Sequence, residues 1–137
     1  DGGEDKPDNN IEYYDTAAYD AYRAEEAEWL KKVVESEECK NAKHRIVCLH
    51  MPPVDGHKMW HGTQQIRELF IPILNKANIS VMLCGHVHKY SYHEDQAEFP
   101  ILVNAFDTAL KAKVDANGIK VDVVDMAGVV KNTHSFR

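Results

Sequence analysis

Two short apolar runs rich in branched side chains, RIVCL at 45–49 and ISVMLC at 79–84, each stop just short of a histidine. Continuous runs of this length suit strands buried on both faces, the situation inside a parallel sheet. Between them Thr63 is the expected N-cap of a helix. In that helix Ile66, Leu69, Phe70, Ile73, Leu74 and Ala77 recur at alternating steps of three and one, an apolar stripe kinked by Pro72. Pro52 and Pro53 stop the first strand, and VDGHKMWHG makes a loop that regular pairing would not tolerate. Strand, helix and strand within about 40 residues form a βαβ unit, with a right-handed crossover and parallel strands that are neighbours or nearly so.

Parallel strands bring their carboxyl ends to one edge of the sheet, where α/β folds bind ligands. His50, His86 and His88 all lie just past those ends. In extended backbone residues i and i+2 face the same way, so His86 and His88 are expected to reach into a crevice that His50 also borders. Gly85 is expected to let the backbone come close to whatever is bound there. Neutral imidazole is a good ligand for Zn, Fe or Mn, and eight histidines in 137 residues put metal or proton-transfer chemistry first among the functions to test. His57 and His61, in the loop after His50, are candidates for binding substrate oxygens. His44, His93 and His134 read as ordinary polar residues, and Trp29 and Trp60 as packing residues.

The rest of the chain builds outward from this unit. The first ten residues are polar and contain Gly and Pro, which marks a loop or mobile end. Asp15 or Thr16 then caps a helix expected to reach about Ser36, with Tyr19, Tyr22, Trp29, Leu30 and Val33 on the packed face and Arg23, Glu25, Glu28 and Lys32 toward water. From Phe99 the apolar period changes to two. Leu110, Ala112 and Val114 alternate with polar residues, as do Ile119, Val121 and Val123, and Asn117-Gly118 supplies a hairpin turn between them.

Length fits a single domain with a substantial core. No apolar run approaches the ~18 residues of a membrane span, so the chain is expected to be soluble and without a membrane partner. A net charge of −6 argues against a nucleic-acid-binding surface, which needs clustered Lys and Arg. Cys39, Cys48 and Cys84 are too few for a disulfide framework, and Cys48 and Cys84 read as small buried thiols. The cysteines lean toward a reducing compartment, yet both cytoplasmic and exported origins stay open. The start of the sequence has no signal segment and reads as a cut.

An apolar strand followed by HMPP, some 35 residues later an apolar strand followed by GHVHKY, and then a hairpin-rich tail resemble the C-terminal half of calcineurin-like metallophosphoesterases. GHVHKYS resembles the purple acid phosphatase branch in particular, and DGGEDKPD and YRAEEAEWL are similar to bacterial members. The resemblance implies residues 1–137 of a four-layer α/β/β/α sandwich: one partial domain, the C-terminal part of a catalytic domain, with a βαβ unit followed by antiparallel strands. It also implies a dinuclear Mn, Fe or Zn site that clamps a phosphate-ester substrate and activates water for in-line attack at phosphorus. Carried over, His50 and His86 ligate one ion and His88 the other.

The family also uses an early D-x-H or D-x-G motif, a GD motif whose Asp bridges the metals, and a GNH[DE] motif. Neither GD nor GNH occurs here, and Asp55-Gly56-His57 matches D-x-H only by letter, since it follows the His50 strand. Three histidines without the bridging carboxylate do not hold two ions, so this chain is expected to be hydrolytically inactive until joined by the N-terminal half of its domain. A truncated sheet is also expected to leave an exposed edge open to self-association. The rival readings are a non-catalytic metal-binding or regulatory module, and a thiol hydrolase using Cys48 or Cys84. An apolar strand interior disfavours the second by raising a thiol's pKa.

Overall fold

The computed structural model describes residues 19–55 and 61–137. The expected N-cap at Asp15 or Thr16, together with His57 and Trp60, lies outside them. The described residues fall into two compact units, 19–41 with 53–55 and 61–77, and 42–52 with 78–137.

The first unit is helical. Helix α1 spans Tyr19–Glu35, α2 Glu37–Asn41 and α3 His61–Leu74. Strong helix formers fill α1, and Ser36 punctuates it: its Oγ donates to Val33 O at 2.8 Å and accepts from Cys39 N at 3.1 Å, closing α1 and capping α2 with one hydroxyl. The expected packed face of α1 is partly right, since Tyr19, Leu30 and Val33 are half-buried. Tyr22 and Trp29 are exposed, whereas Arg23 is only 4% exposed and lies with Ala27 on the buried face. Burying Arg23 is possible because its fork is satisfied: Nε donates to Gln65 Oε1 at 2.5 Å and a terminal nitrogen pairs with Asp20 at 2.7 Å.

Helix α3 buries Ile66, Phe70 and Leu74 from the expected stripe, joined by Ile71. Thr63 is not its cap, because the helix already runs at His61 and Thr63 is buried inside its first turn. Pro72 stands within the helix on an exposed position. After α3 the chain turns at Asn78, whose φ of 50° is the left-handed stop that an Asn tolerates better than most residues.

The second unit carries seven strands: β1 Ile46–Cys48, β2 Val81–Cys84, β3 Ser91–His93, β4 Ile101–Val103, β5 Thr108–Asp115, β6 Gly118–Asp125 and β7 Val130–Phe136. They form one sheet ordered β1-β2-β4-β3 and another ordered β5-β6-β7. As the sequence predicts, β1 and β2 are parallel neighbours, with Val47 opposite Met82. The mixed α/β class of a metallophosphoesterase-type fold is therefore what the chain adopts.

Two details of the tail differ from expectation. The run ILV is a third parallel strand, β4, buried at every position, because it lies between β2 and the antiparallel β3 instead of alternating between core and water. Strand β7 adds to the expected β5–β6 hairpin to make a meander. That hairpin turns at Ala116-Asn117, so Gly118 is its first paired residue, opposite Asp115. Its glycine is required for space, since a Cβ there would stand 2.4 Å from the Phe136 carbonyl oxygen, at a φ of 153°.

The two sheets share a core. Val81 and Leu102 meet Ile119, Val121, Val123 and Phe136, each burial contributing about 1.5–3 kcal/mol relative to exposure. Met82, Cys84, Ile101 and Val103, on the other face of the first sheet, are buried as well. Strand β1 is the exception: Ile46 and Cys48 are exposed, which corrects the expectation of a buried strand and a buried Cys48 thiol. Among the described residues β1 has a partner on one side only. Among them also, no helix is long and apolar enough to cross a membrane.

Candidate metal centre

The β1–β2 ladder continues beyond the strands themselves. Leu49 N donates to Leu83 O at 3.0 Å, and Gly85 N donates to His50 O at 3.0 Å. His50 and the start of the GHVH segment are thereby held side by side at the carboxyl edge of the sheet. Their rings meet in a hydrogen bond: His86 Nδ1 lies 3.2 Å from His50 Nε2, with centroids 5.1 Å apart and planes nearly perpendicular at 81°.

That separation suits two ligands of one ion. Imidazole nitrogens about 2.1 Å from a metal, subtending about 100° at it, lie about 3.2 Å apart. The donor chemistry agrees, since neutral imidazole serves Zn, Fe and Mn alike. Among the described residues, no three His, Cys, Asp or Glu side chains are gathered for a single ion. His88 turns to a different neighbour, its exposed ring 5.7 Å from that of Phe106 and tilted by 50°.

The backbone reason for this arrangement is not the one predicted. Residues 86–88 leave the extended conformation, with φ of 65° at His86 and 60° at His88, and Val87 N closes a tight turn on Gly85 O at 2.7 Å. Alternation along a strand therefore does not orient these rings. Two left-handed non-glycine residues within three positions cost of order 1–3 kcal/mol each, and such strain persists where the surroundings over-determine it. Gly85 has a smaller role than expected. A Cβ at this position would meet only His50 Nδ1, at an ordinary 3.9 Å.

The other candidates are placed as follows. His61 belongs to the helical unit, where Nε2 lies 2.8 and 2.9 Å from the two carboxylate oxygens of Asp20 and ties α3 to α1. Burial by itself would raise the Asp20 carboxyl, but the hydrogen bonds and charges of His61 and Arg23 outweigh it and hold that group below the usual carboxylate range. His44 Nε2 is 3.0 Å from Asp115 O, and His93 Nε2 is 2.9 Å from Ser91 Oγ. Cys84 is a poor nucleophile: burial, with the nearby Cys48 adding to it, pushes its thiol up to about 12. Cys48 shares a sheet face with Leu83, its register partner, so Cys84 projects from the opposite face and the two thiols do not form a pair.

Sequence reasoning missed three residues around this edge. Asn104 follows β4, takes Cys84 O with its backbone N at 2.8 Å and exchanges side-chain hydrogen bonds with Thr108. Its signal, an Asn directly after ILV, was hidden by reading that run as alternating. Tyr90 and His134 are joined by a hydrogen bond across 44 positions, which no local pattern announces.

A family model describing calcineurin-like phosphoesterases matches residues 2–90, a span that includes His50, His86 and His88. No curated protein matches the chain.

Proposed function

The chain belongs to the calcineurin-like phosphoesterase family, and from that premise we propose that it carries the histidine side of a dinuclear centre for hydrolysing phosphate esters. The observation that supports this best is the 3.2 Å approach of His50 Nε2 and His86 Nδ1 at the ends of adjoining parallel strands. In this reading His50 and His86 hold one ion and His88, beyond the turn at Val87, holds the second. When bound, Mn, Fe or Zn ions supply Lewis-acid polarisation of a phosphoryl oxygen and a water of lowered pKa.

The chain's own residues then do three things. The backbone bond from Gly85 N to His50 O sets the spacing of the first two imidazoles. The left-handed residues at 86 and 88 separate the two ligand positions while keeping both on one short loop. Neutral imidazoles bring no negative charge, so charge balance between two cations falls to a bridging carboxylate. The GD and GNH motifs that carry the family's remaining ligands are absent from these 137 residues. We therefore take residues 1–137 as the C-terminal part of one catalytic domain of the purple acid phosphatase-like branch, inactive by itself, with the exposed edge of β1 as the place where its N-terminal half pairs.

The test has two arms. Calorimetric titration with Zn²⁺ or Mn²⁺ should show binding that His50→Ala and His86→Ala each weaken by roughly tenfold or more. An aryl phosphate assay should find the chain at background with Mn, Fe or Zn, and active once extended by its upstream coding sequence. Full turnover by the chain alone would overturn the incomplete-centre reading, and metal binding indifferent to both histidines would overturn the site.

A further inference from the structure

The strained loop must be held by something, and its fastenings can be followed residue by residue. On the N-terminal side the Gly85–His50 backbone bond secures it. On the C-terminal side the backbone is tied by Phe106 N to His88 O, at a long 3.4 Å, and by the β3–β4 ladder, which begins with Ser91 opposite Val103. A side chain adds a short tie between these two: Tyr90, two residues beyond His88, places its hydroxyl 2.6 Å from His134 Nε2. His134 lies on β7, in the other sheet, and outside the span matched by the family model.

His134 is itself fixed. Its ring lies 4.2 Å from that of Tyr92 and 6.2 Å from Phe136, nearly parallel to the latter at 7°, and Phe136 is part of the shared core. We propose that the Tyr90–His134 bond is a strut that holds the His86–His88 loop in its left-handed form, which makes His134 a positioning residue of the metal centre without being a ligand. In the tautomer with the imidazole proton on Nδ1, the tyrosine hydroxyl donates and Nε2 accepts. Two residues span at most about 7 Å of chain, so Tyr90 and His88 stay close neighbours. Its effect on metal binding rests on the function proposed above, whereas its effect on loop geometry does not.

The experiment uses the full chain and two readouts: imidazole resonances of His86 and His88 without metal, and Zn²⁺ affinity measured well below each variant's unfolding midpoint. Tyr90→Phe deletes a single hydroxyl, and His134→Leu deletes the acceptor. Each should move both histidine signals and weaken Zn²⁺ binding roughly tenfold, with the double variant no worse than either single one. His134→Gln, which retains an acceptor, should recover part of the loss, and His93→Ala should change neither readout. Unmoved His86 and His88 signals in Tyr90→Phe, with only the midpoint lowered, would overturn the strut. A wild-type chain whose Zn²⁺ uptake ignores His50→Ala would instead overturn the metal centre, and the metal-free spectra would still decide the strut.

Discussion

Strands β1 and β2 carry nearly the same message, an apolar run, a cysteine and then a histidine two residues on, yet they come to opposite states. β2 lies between β1 and β4 and is buried almost throughout, with Val81 and Met82 fully inaccessible. β1 pairs on one side only among the described residues, and Ile46 and Cys48 are exposed. A run of apolar residues thus states that a strand is suited to burial. Its neighbours decide whether burial happens.

The contrast is sharpest in the thiols. Burial pushes the Cys84 thiol up to about 12, so it stays protonated, whereas the exposed Cys48 is open to solvent. Iodoacetamide on the folded chain should therefore modify Cys48 and spare Cys84 until denaturant is added, as read by peptide mass spectrometry. Equal labelling in the folded state would break the comparison. Stability should follow the same order. Met82→Ala leaves a cavity on the buried face of the sheet and should cost about 2–5 kcal/mol, whereas Ile46→Ala on the exposed strand should cost about 1 kcal/mol, both from urea unfolding.

The glycines divide in the same way between enclosed and open positions. Gly118→Ala drives a Cβ onto the Phe136 carbonyl of β7 and should cost about 2 kcal/mol or more, while Gly85→Ala meets only ordinary contact and should stay within about 0.5 kcal/mol. Comparable losses at the two positions would show that the strands around Gly118 yield more readily than their spacing implies.

A pH-dependent effect is expected in the helical unit. The folded-state pKa of Asp20 is held below its unfolded value, so its contribution is fully present above about pH 4 and fades as pH falls through the folded value. Asp20→Asn should cost about 1–3 kcal/mol at pH 7 and flatten the acid limb of a stability–pH curve, because it leaves the buried Arg23 with Gln65 as its main partner. An unchanged acid limb would remove Asp20 from the account of how α1 meets α3.

Much of the frame was legible in the residues. The positions of β1, α3 and β2 followed from apolar periodicity, as did the alternation of Ile119, Val121 and Val123, and the meeting of His50 with His86 followed from parallel strands ending at one edge. Other features were hidden for physical reasons. Helical periodicity assigned Arg23 to water, since a pattern of polarity does not register that Gln65 and Asp20 will be there to satisfy a guanidinium. β7 was missed because VKNTHSF has no apolar alternation, and its place is set by hydrogen bonding to β6.

What the sequence by itself determined is therefore the order of elements and the edge on which the histidines lie, because periodicity, proline stops and strand polarity are local properties of the chain. Tertiary structure alone decided which apolar strand is enclosed, that His86 and His88 adopt left-handed backbone, and that His134 reaches Tyr90. Burial, strain and long-range hydrogen bonds depend on groups distant in sequence, and their free energy exists only once those groups have been brought together.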